Sequence, residues 1–158
     1  MNQVNKAMES TADREIVGTR IYDAPRDLVL QMWTEPEHIT NWWGPNGFTT
    51  TIHEMNVTPG GVWRFIMHGP DGTDYPNEVH YTEVVNPELL KYDQNGKEGE
   101  AGYHGVTVTF EAIGEKTKVF MRMVFNTAEE RDMIEEKHHA VEGQYQTMDR
   151  LNEYLMQL

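Results

Sequence analysis

The chain contains no cysteine, so disulfides, thiolate nucleophiles and cysteine-based metal sites are excluded; a reducing, cytoplasmic setting fits that composition. Serine is almost as scarce. The sole one, Ser10, lies in the polar start, and no G-x-S-x-G elbow exists, so serine acyl chemistry has no support. Basic residues are few: 13 Lys+Arg stand against 26 Asp+Glu, for a net charge of -13. A chain this acidic repels phosphate backbones and anionic lipid surfaces, which argues against nucleic acid and membrane as partners. No apolar run approaches the roughly 20 residues of a membrane-spanning helix. The opening MNQVNKAMESTADRE has no apolar core segment and does not read as a secretory signal.

What remains suits one domain. There are 158 residues, 38% hydrophobic, with 13 glycines besides. Residues 1–12 are polar and aperiodic and read as a flexible N-terminus, leaving 13–158 as the domain. Glu15 to Tyr22 carries Ile16, Val17, Ile21 and Tyr22 and predicts a strand. Asp23-Ala24-Pro25 then starts a short helix to about Trp33, with Leu28, Val29 and Met32 at helical spacing. Thr34-Glu35-Pro36-Glu37 has the form of a capping box and predicts a second very short helix, reaching about Trp42 before Gly44-Pro45.

From Phe48 the period changes to two. Turn signals at Pro59-Gly60-Gly61, Gly69-Pro70-Asp71-Gly72, Asn95–Gly102 and Ile113-Gly114-Glu115 separate further strands. These include Val62–His68, Glu78–Val85 and Leu89–Gln94. Thr127-Ala128-Glu129-Glu130 is another capping box. A single proline-free helix of about 30 residues, roughly 45 Å long, is predicted from there to Leu158.

Grouped helices and consecutive hairpins predict an α+β fold. Six to seven antiparallel strands at ~4.8 Å spacing are ~30 Å wide, whereas one helix covers only ~10–12 Å. The sheet must therefore curl around the C-terminal helix, with the two short helices closing the gap. The inner face would carry Trp63, Phe65 and Met67, then Tyr81, then Val108 and Phe110, then Met121 and Met123, facing Tyr145, Met148 and Leu155 of the helix. These are core residues first and the wall of a ligand pocket second. Trp43 joins them: of the adjacent Trp42 and Trp43, one ring is expected buried and the other partly exposed at a pocket mouth or a homodimer contact, unless both are plain core.

The seven histidines form no HExxH or Cys/His zinc pattern, so neither a metal nor a cofactor is expected. Glu83 shares strand parity with Val79, Tyr81 and Val85, and as an inward carboxylate it would be a general-base candidate. His80 is the other weak catalytic candidate, inward if the strand takes the opposite phase.

NWWGP at 41–45, Pro59–Phe65 (PGGVWRF), the Gly-Pro-Asp-Gly turn at 69–72, Glu83–Glu88 (EVVNPE) and Asp149–Leu155 (DRLNEYL) together resemble homologues of the activator of heat-shock protein 90 ATPase. That family lies within the START-like (SRPBCC, birch-allergen-like) superfamily. The resemblance covers residues 14 to 158 and implies the helix-grip fold, with an interior cavity for hydrophobic or amphipathic small molecules. Two departures stand out: family members often carry Asp at the place of Asn56, and a Gly-Trp pair where this chain reads Gly143-Gln144-Tyr145. A small hydrophobic ligand is thus the expected partner. The competing expectations are a stress-linked protein-interaction module, for which a chaperone partner has no support in the sequence, and a cyclase- or hydrolase-type enzyme using a cavity acid.

Overall fold

The computed structural model describes residues 10–158. Of the N-terminal segment expected to be flexible, residues 1–9 lie outside the described residues. Ala12–Arg14 form a 3-10 turn, and Thr11 donates its hydroxyl to Glu15 at 2.7 Å. The elements that follow are β1 (Glu15–Tyr22), α1 (Arg26–Thr34), α2 (Pro36–Ile39), β2 (Thr49–Met55), β3 (Val62–His68), β4 (Asp74–Val85), β5 (Leu89–Gln94), β6 (His104–Ile113), β7 (Lys116–Phe125), α3 (Ala128–His138) and α4 (Ala140–Met156).

Every strand pairs antiparallel in one seven-stranded sheet of order β1-β7-β6-β5-β4-β3-β2. The sheet is curved and open, with the C-terminal helices against it, as the width comparison requires. Alternation puts one residue in two on the concave face: Trp63 and Phe65 on β3, Val79 and Tyr81 on β4, Leu90 and Tyr92 on β5, Val106, Val108 and Phe110 on β6. Burying each such side chain contributes about 1.5–3 kcal/mol.

The helices divide that face between them. α4 runs over β1, where the Tyr22 hydroxyl donates to the Met148 carbonyl at 2.9 Å and Arg20 pairs with Asp149. Gly18 lets the two elements approach, since a Cβ there would lie 2.5 Å from the Gln144 side-chain oxygen. α1 buries Val29, Leu30, Met32 and Trp33, with Trp33 edge-on to Phe110 at 5.3 Å.

Three local expectations are corrected. The C-terminal helix is not one rod. His139 adopts a left-handed conformation (φ 51°, ψ 51°) that ends α3 and starts α4. The break is held from both sides: the His139 N–H donates to the Glu135 carbonyl (2.9 Å), while the Glu135 carboxylate accepts the Val141 N–H (2.8 Å). The capping box at Thr34 does not form; Thr34 donates its hydroxyl to the Leu30 carbonyl instead, and α2 ends at Ile39 rather than near Trp42. The one at Thr127 does form, its hydroxyl oxygen accepting the Glu130 N–H at 3.1 Å.

Candidate functional site

Both tryptophans of the NWWGP segment are buried, Trp42 fully and Trp43 at 6% exposure, which overturns the expectation of a half-exposed ring. Trp42 donates its indole N–H to the Met32 carbonyl at 3.2 Å and sits edge-on to Trp33, 4.6 Å between centroids. Trp43 stands edge-on to Trp63 at 5.1 Å. The chain leaves through Gly44, whose φ of +102° disfavours any side chain. Arg150 of α4 fixes this exit by donating to the carbonyls of Trp43, Gly44 and Pro45 (3.3, 2.8 and 3.0 Å). The two N–H groups of the Arg150 Nη1, shared among three carbonyls, tie the loop to the helix through charge-assisted bonds, which are stronger than neutral ones.

Beside that loop lies a partly open cleft of about 530 Å³. It occupies one end of the concave face. Met67 on β3, Tyr75 and Asn77 on β4, Gln94 on β5, His104 on β6, and Met121, Met123 and Phe125 on β7 approach it from the sheet. Trp43 and Phe48 close one side, and the α3–α4 junction covers the top with Ile134, Gly143 and Gln144. Placing the left-handed His139 here turns α4 away from α3 and leaves room beneath the bend.

Of the residues expected to wall a pocket, Trp43, Met67, Met121 and Met123 come together around the cleft. Trp63, Phe65, Tyr81, Val108, Phe110 and Met148 instead pack into solid core at the other end, each 3% exposed or less, and none of them borders the cleft. The reason is ring volume: Trp63 stacks on Phe65 at 3.9 Å, Tyr81 meets Tyr92 edge-on at 5.6 Å, and α1 and α2 lie over that end. Tyr145 is corrected outright. It is 49% exposed, and Gln144 takes the inward position, because α4 presents Gln144, Met148 and Leu151 to the sheet.

Neither catalytic candidate reaches the cleft. A bulge at Thr82 shifts the β4–β5 register between Tyr81 and Glu83, so inward parity passes to Val84 and Glu83 turns to solvent. The general-base reading of Glu83 is thereby lost. His80 lies on the opposite face from Val79 and Tyr81 and hydrogen-bonds Glu78 at 3.0 Å. Among the described residues, no group of three or more His, Cys, Asp or Glu could hold a metal ion.

The polar side chains of the cleft were not legible in advance. Gln94 donates to Asn77 at 3.0 Å, across from Val79 and next to His104 in the sheet. His104 lies tilted against Phe125, 5.2 Å between centroids. Burial pushes its imidazole down to about 4, outweighing an opposing contribution from the Gly102 backbone, so the ring is neutral at ordinary pH. Gln144 is 6% exposed, and neither atom of its amide finds a partner among the described residues. Strand parity alone places Gln94 and His104 inward, but a polar residue at the end of a strand reads equally well as the start of a loop.

Among the described residues, no helix is long and apolar enough to cross a membrane. No curated protein matches the chain. The fold is that of several solved structures. A Nitrosomonas europaea protein is similar with a TM-score of 0.82 at 23% identity, over 95% of this chain and 99% of that one. An Arthrobacter aurescens protein gives 0.85 at 22% identity, over 95% and 90%. The AHSA1 protein of Silicibacter pomeroyi gives 0.73 at 17% identity, over 90% and 97%. The family model described as "Activator of Hsp90 ATPase homolog 1-like protein" matches residues 23–156, and on that match the chain belongs to this family of START-like, helix-grip proteins.

Proposed function

We propose that the chain binds a small hydrophobic or amphipathic molecule in the cleft between the sheet end and the α3–α4 junction. One observation carries this reading: about 530 Å³ of room survives in a face that is otherwise tightly filled, and its walls are Trp43, Phe48, Met67, Met121, Met123 and Phe125. That volume lies within the range of small-molecule sites, which are largely apolar with a few fixed polar groups. Three methionines supply walls that adjust to a guest at little cost. With Glu83 and His80 both on the outside, binding is favoured over turnover by a cavity acid.

The environment-sensitive dye Nile red tests this. Saturable uptake with a blue-shifted emission is expected for the intact chain. Met67→Trp, which fills the cleft from its half-buried β3 wall, should weaken uptake at least tenfold while leaving the circular dichroism spectrum unchanged. Uptake that is non-saturable, or equal in the two proteins, would place the dye elsewhere and reject the cleft.

A further inference from the structure

Resting on the binding reading above, we infer that the ligand carries an uncharged hydrogen-bonding head with both a donor and an acceptor, of the carboxamide, lactam or urea class, on an apolar body. The polar side chains inside the cleft, away from its exposed rim, include Gln94, His104 and Gln144, and each of these is two-sided. Gln94 and His104 are neighbours across β5 and β6, and Gln144 enters from α4. Each amide has donors and an acceptor, and a neutral imidazole has one of each. Among the described residues, no lysine or arginine borders the cleft. Arg150, the arginine of α4, turns its Nη1 to the carbonyls of residues 43–45 and does not line the cleft.

A carboxylate, phosphate or sulfonate head would therefore meet no lysine or arginine among the described residues. The first turn of α4 is the one remaining positive feature, and its Val141 N–H is already taken by the Glu135 carboxylate at 2.8 Å. A cationic head is disfavoured for the converse reason. Among the described residues, the only acid bordering the cleft is Glu142, which is exposed at its rim beside the exposed His138 and His139.

Gln144 supplies the independent pointer to a ligand. Its amide is closed off from solvent and unpartnered, a state that costs free energy unless something repays it. The side chain lies against Gly18, whose missing Cβ leaves the space it uses. In the proposed complex the amide turns from Gly18 toward the cleft that Gln144 borders, where a head with one donor and one acceptor satisfies both of its atoms at once. The same amide on a strictly hydrocarbon ligand would stay unpaired.

Competition against bound Nile red at pH 8 decides this with three ten-carbon probes: decanamide, decanoate and decylammonium. Decanamide is expected to displace the dye about tenfold more tightly than either charged probe. Gln144→Met, which keeps the side-chain length, should bring decanamide down to the level of the others, each probe being measured against that variant's own dye affinity, and should fold at least as stably because it removes an unpaired buried amide. Gln144→Glu should instead favour decylammonium. Dye uptake with no preference for the amide, or an amide preference that survives Gln144→Met, overturns the inference while leaving the cleft as a binding site. Failure of the chain to take up Nile red at all overturns both.

Discussion

Trp42→Ala is expected to cost about 3–5 kcal/mol of folding stability. Against the roughly 5–15 kcal/mol that holds a domain together, this is a large fraction of the total. Trp42 has no exposed surface, meets Trp33 and Trp43 edge-on at 4.6 and 5.5 Å, and donates its N–H to the Met32 carbonyl. Truncation leaves a ring-sized void beside Trp33 of α1 and Trp43 of the α2–β2 loop, and it orphans the Met32 carbonyl. Urea unfolding of the two proteins measures the difference directly, with a fall in melting temperature on the order of 10 °C as a companion readout. A loss below about 1 kcal/mol would mean that the ring is not packed as described. The chain needs two large rings beside a Gly-Pro turn because the first closes the solid half of the core and the second forms the boundary between that half and the cleft.

Acid destabilisation centred on His104 is the second large effect. Its imidazole has a lower affinity for protons in the folded chain, about 4 against 6.5 when exposed. Between those two values the unfolded chain binds a proton that the folded chain refuses. The folded state is therefore at no disadvantage above pH 6.5, loses stability as pH falls below it, and has lost the full amount by about pH 4. At about 1.4 kcal/mol per tenfold in proton affinity the whole effect is about 3 kcal/mol, with about 2 kcal/mol of it gone by pH 5. The carboxyls of Glu15 and Glu78 are held below their usual range, chiefly by hydrogen bonds from Thr11 and His80 respectively, and so act at lower pH. Most of the His104 contribution therefore falls above the range in which those two carboxyls act, and the His104 variant separates it from the rest of the profile. His104→Phe, stacking on Phe125, should flatten the stability profile from pH 7 to pH 5; an unchanged slope would show that His104 is solvated and free to titrate.

The architecture was readable because its determinants are local and repetitive. Alternation at Val62–His68, the glycine-bearing turns and the Thr127 cap each fix one element, and simple widths demand a bent sheet. The features that shape the cleft are single-residue exceptions to those patterns. Nothing in Tyr81-Thr82-Glu83 marks Thr82 as the extra residue of a bulge, yet that residue moves Glu83 from core to solvent. His139 carries no glycine to advertise its left-handed backbone, yet it splits the helix and sets which face of α4 looks inward. Helical spacing with Met148 and Leu155 puts Tyr145 on the apolar face, whereas tertiary packing turns Gln144 inward and leaves Tyr145 exposed. Only Trp43, Met67, Met121 and Met123 of the expected wall border the cleft, for a related reason: parity identifies which residues face inward, but only the volumes of Trp33, Trp42 and Trp63 decide which end of the face is filled.

The most direct test of ligand binding in the cleft is a titration with Nile red followed by the methyl resonances of carbon-13-labelled methionines. Met67, Met121 and Met123 border the cleft, Met32 and Met148 lie in solid core, and Met133 and Met156 are exposed on the helices. The first three signals should shift with a common saturation curve while the other four stay in place. Shifts confined to Met133 and Met156, or no shift at Met67, Met121 and Met123 at saturating dye, would contradict a ligand site in the cleft.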